Sequence, residues 1–406
     1  MMRLDELLTQ TDKETTLLIL ICRIYLETSK HEKLSLFIKE NSADLNFDRF
    51  YELSKTHRIR PLVYKVLSGA DTVLFPCLIT KLERDCRTIT FRALNNLKEM
   101  FRVISILKGK GTTILPYRGP LFSRMYYGDW SMRESSDLDF LVDKKEIGQL
   151  EFLKGEGYKA KHVYNDYRDE DIHQNSQSID LNNDVGSRRN IHLEFHYNIV
   201  AACYGVNSGY ADAQQNMTEF EAGGKTIDVL SHESTAGIIL AHHGLQDIWG
   251  SLKYYMDLAM MAKVPGQTDW NKVKEFTRKH GFNKLSAAAF HNMEVLTGVK
   301  DPFNDGPVES EFTRRLLDLC LSPEKYADKG FYKLNLRIEG RDTLVWRSKM
   351  MKGLLTLFMR PTTDDFEWKY FPPYMFWLYY VCKPPRLIYT YLLGPLIGKK
   401  AVFPFR

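Results

Sequence analysis

The 406-residue sequence predicts an α+β protein, with a mixed sheet set between N-terminal and C-terminal helical regions. Three observations carry this. Apolar residues recur at helical spacing before residue 109 and again after residue 230. Between those limits, short runs are apolar or alternate strictly, as strands do. The composition, 44% hydrophobic and 26% charged, is that of a globular chain, and the length allows two or three domains.

In chain order, helices are expected over Leu17 to Thr28, Leu34 to Asn41 and Arg87 to Lys108. The last would carry Phe91, Leu94, Leu97, Phe101, Ile104 and Leu107 on one stripe. Arg58-Ile-Arg60 before Pro61 reads as a solvated helix end. Together these make an N-terminal helical domain, 1–108. The next domain, 109–230, holds strands at 112–117, 138–142, 158–163, 190–199 and 225–230, with helices at 120–127 and 144–155. Tyr164 to Arg189 is polar and reads as a long, substrate-facing loop. A second helical domain spans 231–344, its first helix capped by the Ser231 cluster. Residues 345–406 form a tail in which Pro372, Pro373, Pro384 and Pro385 break the helices.

Asp137 and Asp139, in Arg133-Glu-Ser-Ser-Asp-Leu-Asp-Phe-Leu-Val142, are the most informative residues. Leu138 to Val142 is apolar apart from Asp139, and a carboxylate is rarely buried without a counter-charge. Residues two apart on a strand share a face, so both carboxylates project together. They repel unless a cation lies between them, and magnesium, a hard ion held by carboxylates and phosphates, suits that place. The plainer reading is a turn-capping Asp beside an exposed one.

Upstream, Thr112 to Tyr117 reads as a strand ended by Arg118-Gly119-Pro120, with a helix beginning at Pro120. A Gly turn before a helix N-terminus offers N–H groups and a positive dipole end to an anion. Arg118, Arg124 and Arg133 add positive charge. Downstream, Asn190 to Ile199 alternates strictly, with His192, Glu194 and His196 on one face and Ile191, Leu193, Phe195 and Tyr197 on the other. Zinc is one reading of His-x-Glu-x-His, but no Cys or further His completes a tetrahedron locally. Another makes Glu194 a third carboxylate beside the Asp pair. The third is simply an exposed strand face.

These pieces together resemble the DNA polymerase beta-like nucleotidyltransferase superfamily, and within it a bacterial group of uncharacterised nucleotidyltransferases. The resemblance rests on Arg118-Gly119, Tyr126-Tyr127, Arg133 to Val142, Glu194-Phe-His196, Val229-Leu-Ser231, His242-His243-Gly244 and Asp257. It implies the superfamily's mixed sheet, with Asp137, Asp139 and Glu194 as catalytic metal ligands for two Mg²⁺ ions or Mn²⁺. A nucleoside triphosphate such as ATP would meet Arg118, Gly119, Arg133, Ser135, Ser136 and His196. His192, His242, His243 and Asp257 would support them from behind, although His242 and His243 read first as satisfied core or interface groups, one of them oriented by Asp257. The implied reaction moves a nucleoside monophosphate to an unknown hydroxyl acceptor and releases pyrophosphate, and the group is linked to surface-polysaccharide assembly. The alternatives are a silent nucleotide-binding scaffold, or a toxin that nucleotidylates protein or tRNA. The turn departs from the superfamily's usual Gly-Gly or Gly-Ser: Pro120 has no N–H, and Arg118 stands where the group often has Lys.

The six scattered Cys include no Cys-x-x-Cys pair, which points to a reducing compartment. With no signal peptide and no spanning stretch, the expected location is cytoplasmic. The formal charge is +5, yet Val345 to Arg406 has ten Lys/Arg against three acidic residues, a net +7. The body is therefore near neutral, which argues against a nucleic-acid binder. Nine aromatics stand between Phe366 and Tyr380. The tail has two readings: a peripheral contact with the anionic inner face of a membrane, or a subdomain with the aromatics as core.

Overall fold

The computed structural model describes residues 7–9, 11–69, 75–160, 178–183, 191–206, 209–264, 266–303, 310–361 and 363–389. Helices come first: α1 (Lys13–Tyr25), α2 (His31–Asn41), α3 (Phe47–Thr56), α4 (Arg60–Ser68) and α5 (Pro76–Lys108). The Asp12 side chain accepts from Thr15 N–H to cap α1, and Asn46 caps α3 in the same way. Pro76, which needs no N–H partner in the first turn, starts α5 eleven residues before the expected Arg87. Its buried stripe is also rotated from the expected one. Ile89, Ala93, Asn96, Met100, Val103 and Leu107 are buried, whereas Phe91 and Leu94 are 53% and 49% exposed. The helix is apolar on more than one face, and the sheet decides which face is covered. Arg60 is no solvated helix end either. It donates from Nε and Nη2 to Glu134 (3.1 and 2.6 Å) and from Nη1 to Asp85 (2.8 Å).

The sheet strands are β1 (Ile114–Pro116), β2 (Asp137–Val142), β3 (Tyr158–Ala160), β4 (Ser178–Asn183) and β5 (Ile191–His196), and α6 (Pro120–Tyr127) links β1 to β2. Their order is β1-β2-β5-β4-β3, antiparallel except for the parallel pair β2–β5, so the sheet is mixed as expected. Where a helix was expected over 144–155, residues 144–151 form a 3₁₀ helix that runs into a short α-helical turn at 152–155. β4 lies inside the expected loop 164–189, the remainder of which, apart from residues 178–183, lies outside the described residues. One face of the sheet is apolar: Leu138, Phe140, Val142, Leu193, Phe195 and Leu181 join Met100, Val103 and Leu107 of α5 in one core. Phe140 stacks on Phe195 at 5.3 Å between centroids, worth about 0.5–1.5 kcal/mol beyond area burial. The opposite face carries the polar residues.

A separate hairpin, β6 (Met217–Ala222) with β7 (Lys225–Leu230), precedes α7 (His232–Ala241), which Ser231 caps. One π-helical turn, His242–Gln246, follows α7. Ile248 and Trp249, both buried, then have positive φ (50° and 55°), a costly backbone for bulky residues. The helices α8 (Leu252–Ala262), α9 (Trp270–Lys279), α10 (Asn283–Thr297), α11 (Glu311–Leu321) and α12 (Gly330–Glu339) complete the second helical region. The tail is folded as α13 (Leu344–Met359), α14 (Thr363–Trp368) and α15 (Leu378–Ile388). Pro384 and Pro385 do not break α15, which runs through both, while Pro372 and Pro373 do stand outside the α-helices. A Cβ on Gly353 of α13 would stand 2.7 Å from the Cys203 backbone, so only glycine lets this helix approach so closely. No helix among the described residues is long and apolar enough to cross a membrane.

Candidate active site

Strand register assembles the polar face. Asp139 pairs with Glu194 on parallel β5, and Glu194 pairs with Asp180 on antiparallel β4. Paired residues share a face, so three carboxylates form one cross-strand row. Asp137 is two residues before Asp139 on the same face, opposite His192. Strand alternation puts Asp137 and Asp139 on one face of β2, and the register sets Glu194 beside Asp139. Asp180 was hidden in a polar stretch with only Ile179 and Leu181 to mark a strand.

Two histidines tie the row together. His196 is buried, and its Nε2 lies 3.1 Å from Glu194 Oε2 and 3.3 Å from Asp139 Oδ1, a shared donor between two acceptors. Burial opposes its protonation, but hydrogen bonds to both carboxylates outweigh that and raise its pKa. His192 lies 3.7 Å from Asp180 and 3.6 Å from Glu194, and these neighbouring carboxylates, Asp180 first, raise its pKa. Donor atoms of Asp139, Glu194 and His196 lie within 4.8 Å of one another, as do those of Asp180, His192 and Glu194. Glu194 therefore belongs to two adjacent donor groups.

Arg118 is the cation on this face. Its Nη2 donates to Asp139 Oδ1 at 2.5 Å and its Nη1 to His242 Nε2 at 2.6 Å. Burial pushes the Asp139 pKa up, but Arg118 and then His196 outweigh it, leaving the group well below the usual carboxylate range. Asp137 differs. Burial and the neighbouring Asp139 charge raise its pKa, with Arg118 only partly compensating. A like-charged pair of this kind, Asp139 buried and Asp137 half-buried, fits a hard divalent cation, and Asp137, Asp139 and Glu194 offer the oxygen donors magnesium prefers. Gly119 caps α6 with φ 72° and ψ −145°, a backbone that favours glycine, and the α6 N-terminus begins directly beyond it. Ser136 Oγ lies 3.5 Å from Asp137 Oδ2, and Ser135 Oγ is near Gly119.

Behind Arg118 lies a second cluster. Because guanidinium only donates, His242 Nε2 must accept, and the neutral ring then carries its proton on Nδ1. That nitrogen lies 3.0 Å from Asp247 Oδ2, within ion-pair range though off the line of a hydrogen bond. Burial and the Arg118 charge lower the His242 pKa to about 4, which keeps the ring neutral. A protonated Nδ1 cannot ligate a metal, so the close group His242, His243 and Asp247 reads as a positioning chain for Arg118.

Arg133 is not brought to the carboxylate row. It donates from Nε to both oxygens of Asp257 (2.9 and 3.0 Å), and both side chains are buried. Tyr127 and His243 Nε2 also meet Asp257, at 2.8 and 3.1 Å. Its partner is a carboxylate 124 positions away, which no local pattern reveals. Lys253 was likewise missed: it is buried, donates to the Glu134 carbonyl at 2.6 Å, and has its pKa lowered to about 7 by burial and by Arg133. A cavity of about 460 Å³ lies elsewhere, lined by Asp212, Glu233, Lys272, Phe276 and His280 among others, and none of the carboxylate-row residues borders it.

A family model described as "Uncharacterised nucleotidyltransferase" matches residues 43–298, which is more than half of the chain and includes the whole carboxylate row. The chain belongs to this nucleotidyltransferase family. Membership makes it a transferase whose general activity is nucleotidyl transfer. No curated protein matches the chain. Among solved structures it is similar to an antigenic nucleotidyltransferase-like protein from Paracoccidioides brasiliensis, at 15% identity and a TM-score of 0.29. That match covers 52% of this chain and 92% of the other. In this nucleotidyltransferase the motif pieces behind the sequence-based resemblance fall in two places. Arg118, Gly119, the Asp pair and Glu194 gather on the sheet, while Arg133, Tyr127, His243 and Asp257 form the buried network beneath.

Proposed function

We propose that this nucleotidyltransferase moves a nucleoside monophosphate from a nucleoside triphosphate to a hydroxyl acceptor at the carboxylate row. The observation that carries the reading is the register pairing of Asp139 with Glu194, with Asp137 on the same face and Gly119 at the start of α6. Asp137, Asp139 and Glu194 would hold two magnesium ions. Magnesium there would supply Lewis-acid stabilisation of the charge that builds on the transferring phosphoryl group. Glu194 accepts the acceptor's proton, while His196 keeps Glu194 and Asp139 oriented. Arg118, held between Asp139 and His242, supplies fixed positive charge beside the phosphates, with Gly119, Ser135 and Ser136 next to it. The acceptor oxygen attacks the α-phosphorus, the bond to the bridging oxygen breaks, and pyrophosphate leaves. The surface-polysaccharide setting implied by the resemblance makes a sugar hydroxyl the first acceptor to test.

A second reading is a silent nucleotide-binding protein. It is favoured by the Arg118–Asp139 pair, which neutralises one of the proposed ligands, and by Pro120, which lacks an N–H. Incubation with triphosphates labelled at either the α or the γ phosphate, plus a small-molecule extract, separates the two. Transfer of α label alone supports the enzyme. Retention of both labels on intact triphosphate supports the silent protein.

A further inference from the structure

The folded tail sorts its aromatics into two sets. Phe366, Phe371 and Tyr379 form a small core with Phe376 and Leu378 packed on it. Trp368, Tyr370, Tyr374, Trp377, Tyr380 and Tyr389 are exposed, at 44% to 80%. The buried rings form a subdomain core, and the exposed share needs its own account. Of the twenty exposed large hydrophobic residues among the described ones, thirteen lie between Leu344 and Tyr389. Such a concentration is unusual on a free surface and marks a contact face.

The two longer tail helices show how it is built. On α13, Met350 and Leu354 point inward and are buried, while Leu344, Met351, Leu355 and Met359 are exposed. Their spacing of seven, four and four residues puts the exposed set on one face. On α15, Trp377 at its start, Val381 and Ile388 repeat the pattern. Lys383 of α15 donates to the Leu357 carbonyl of α13 at 3.2 Å, so the two helices are joined.

Charge decides what this face suits. Asp365 is turned inward, buried between Lys383 at 3.0 Å and Arg386 at 2.5 Å. The exposed charged residues whose side chains are described in this segment are Lys349, Lys352, Arg360 and Lys369, all basic. Lys349 sits over the Trp346 ring at 4.2 Å. The sequence beyond Tyr389 adds Lys399, Lys400 and Arg406 and no acidic residue. A second copy of the same basic face would be repelled. An anionic bilayer surface meets both features at once: apolar residues and aromatic rings settle at headgroup depth, and lysines pair with the phosphate and carboxylate groups above. Since no described helix can cross a membrane, the contact is with the surface.

We propose that the exposed face of α13 and α15 binds the surface of an anionic membrane. The test is flotation of the full chain with phosphatidylcholine vesicles, with and without phosphatidylserine, at about 50 and about 500 mM salt, where screening differs severalfold. The full chain should float with the anionic vesicles at low salt. Lys349→Glu with Lys352→Glu should reduce that binding more than tenfold, since each basic residue contributes about fivefold. Met351→Ser, Leu355→Ser and Trp377→Ser together should abolish the binding that persists at high salt. All five positions are exposed, and circular dichroism should show an unchanged fold. The proposal is overturned if the full chain stays unbound with anionic vesicles, or if both variants float like the wild type. It is also overturned if light scattering shows an oligomer that the triple-serine variant dissolves while wild-type flotation is absent, since the face would then join copies of the chain.

Discussion

Arg118 and Asp139 form a buried ion pair on the front face of the sheet, with side chains only 10% and 3% exposed. The guanidinium is held from behind by His242, so it faces Asp139 in a fixed orientation. Breaking such a pair from one side leaves an uncompensated buried charge, which costs about 3–5 kcal/mol. Arg118→Ala should therefore lower the melting temperature sharply. Added Mg²⁺ should restore more stability to this variant than to the wild type, because the carboxylates lose their internal counter-charge. Differential scanning calorimetry with and without Mg²⁺ checks both. A variant as stable as the wild type would mean that the pair contributes little.

The two aspartates should respond differently to neutralisation. Asp139 has its pKa held low by Arg118 and His196, so its contribution to stability is present above the unfolded carboxylate value and is lost as pH falls below it. Asp137 has a raised pKa, so it costs stability as pH rises through the interval between its unfolded and folded values. Asp139→Asn should destabilise by about 3–5 kcal/mol at neutral pH, as expected for a buried pair broken from one side. Asp137→Asn should leave stability unchanged or improve it. Urea denaturation of both variants at pH 7 and pH 4 tests the contrast, which should shrink at the lower pH.

Lys253 gives a prediction of opposite sign at higher pH. Its folded pKa is lowered to about 7, below that of an unfolded lysine. Between those values the unfolded chain binds the extra proton, so stability rises with pH above about 7 and is penalised below it. Lys253→Met removes the buried charge. It should raise stability by about 1–3 kcal/mol at pH 6.5, with the gain vanishing towards pH 10. A Tm series from pH 6 to about 10 measures the slope. A gain that does not depend on pH would show that the Lys253 pKa is not lowered in the fold.

Asp257 anchors the network beneath the site, accepting from Arg133, Tyr127 and His243. Asp257→Asn keeps the shape but leaves Arg133 buried without its counter-charge, a loss of about 3–5 kcal/mol. Arg133→Met with Asp257→Leu together should be far better tolerated than either single change. A double-mutant cycle by chemical denaturation measures the coupling.

Legibility in the sequence followed how local each signal was. Asp137, Asp139 and Glu194 could be placed because strict alternation assigns a face without knowing the partner strand. The cap at Ser231 and the helix Pro120–Tyr127 are equally local. Asp180 was not legible: Ser178 to Asn183 has two apolar residues, and its strand is fixed by pairing Ile179 with Phe195 and Leu181 with Leu193. The buried face of α5 was not legible either, since apolar residues ring the helix and the sheet chooses Met100 and Val103 over Phe91 and Leu94. Arg133 looked like a phosphate ligand because a lone arginine near a turn carries no sign of a distant aspartate. The positioning of Arg118 by His242 depends on a π-helical turn that no residue pattern announces.

The most direct measurement of the central claim is isothermal titration of ATP, CTP, GTP and UTP, each with Mg²⁺, into the wild type, Asp137→Asn and Asp139→Asn. The account predicts that at least one triphosphate binds, that binding requires Mg²⁺, and that both variants weaken it by more than tenfold. Equal affinity in all three proteins, or binding indifferent to Mg²⁺, would contradict the assignment of the carboxylate row as the nucleotidyl-transfer site.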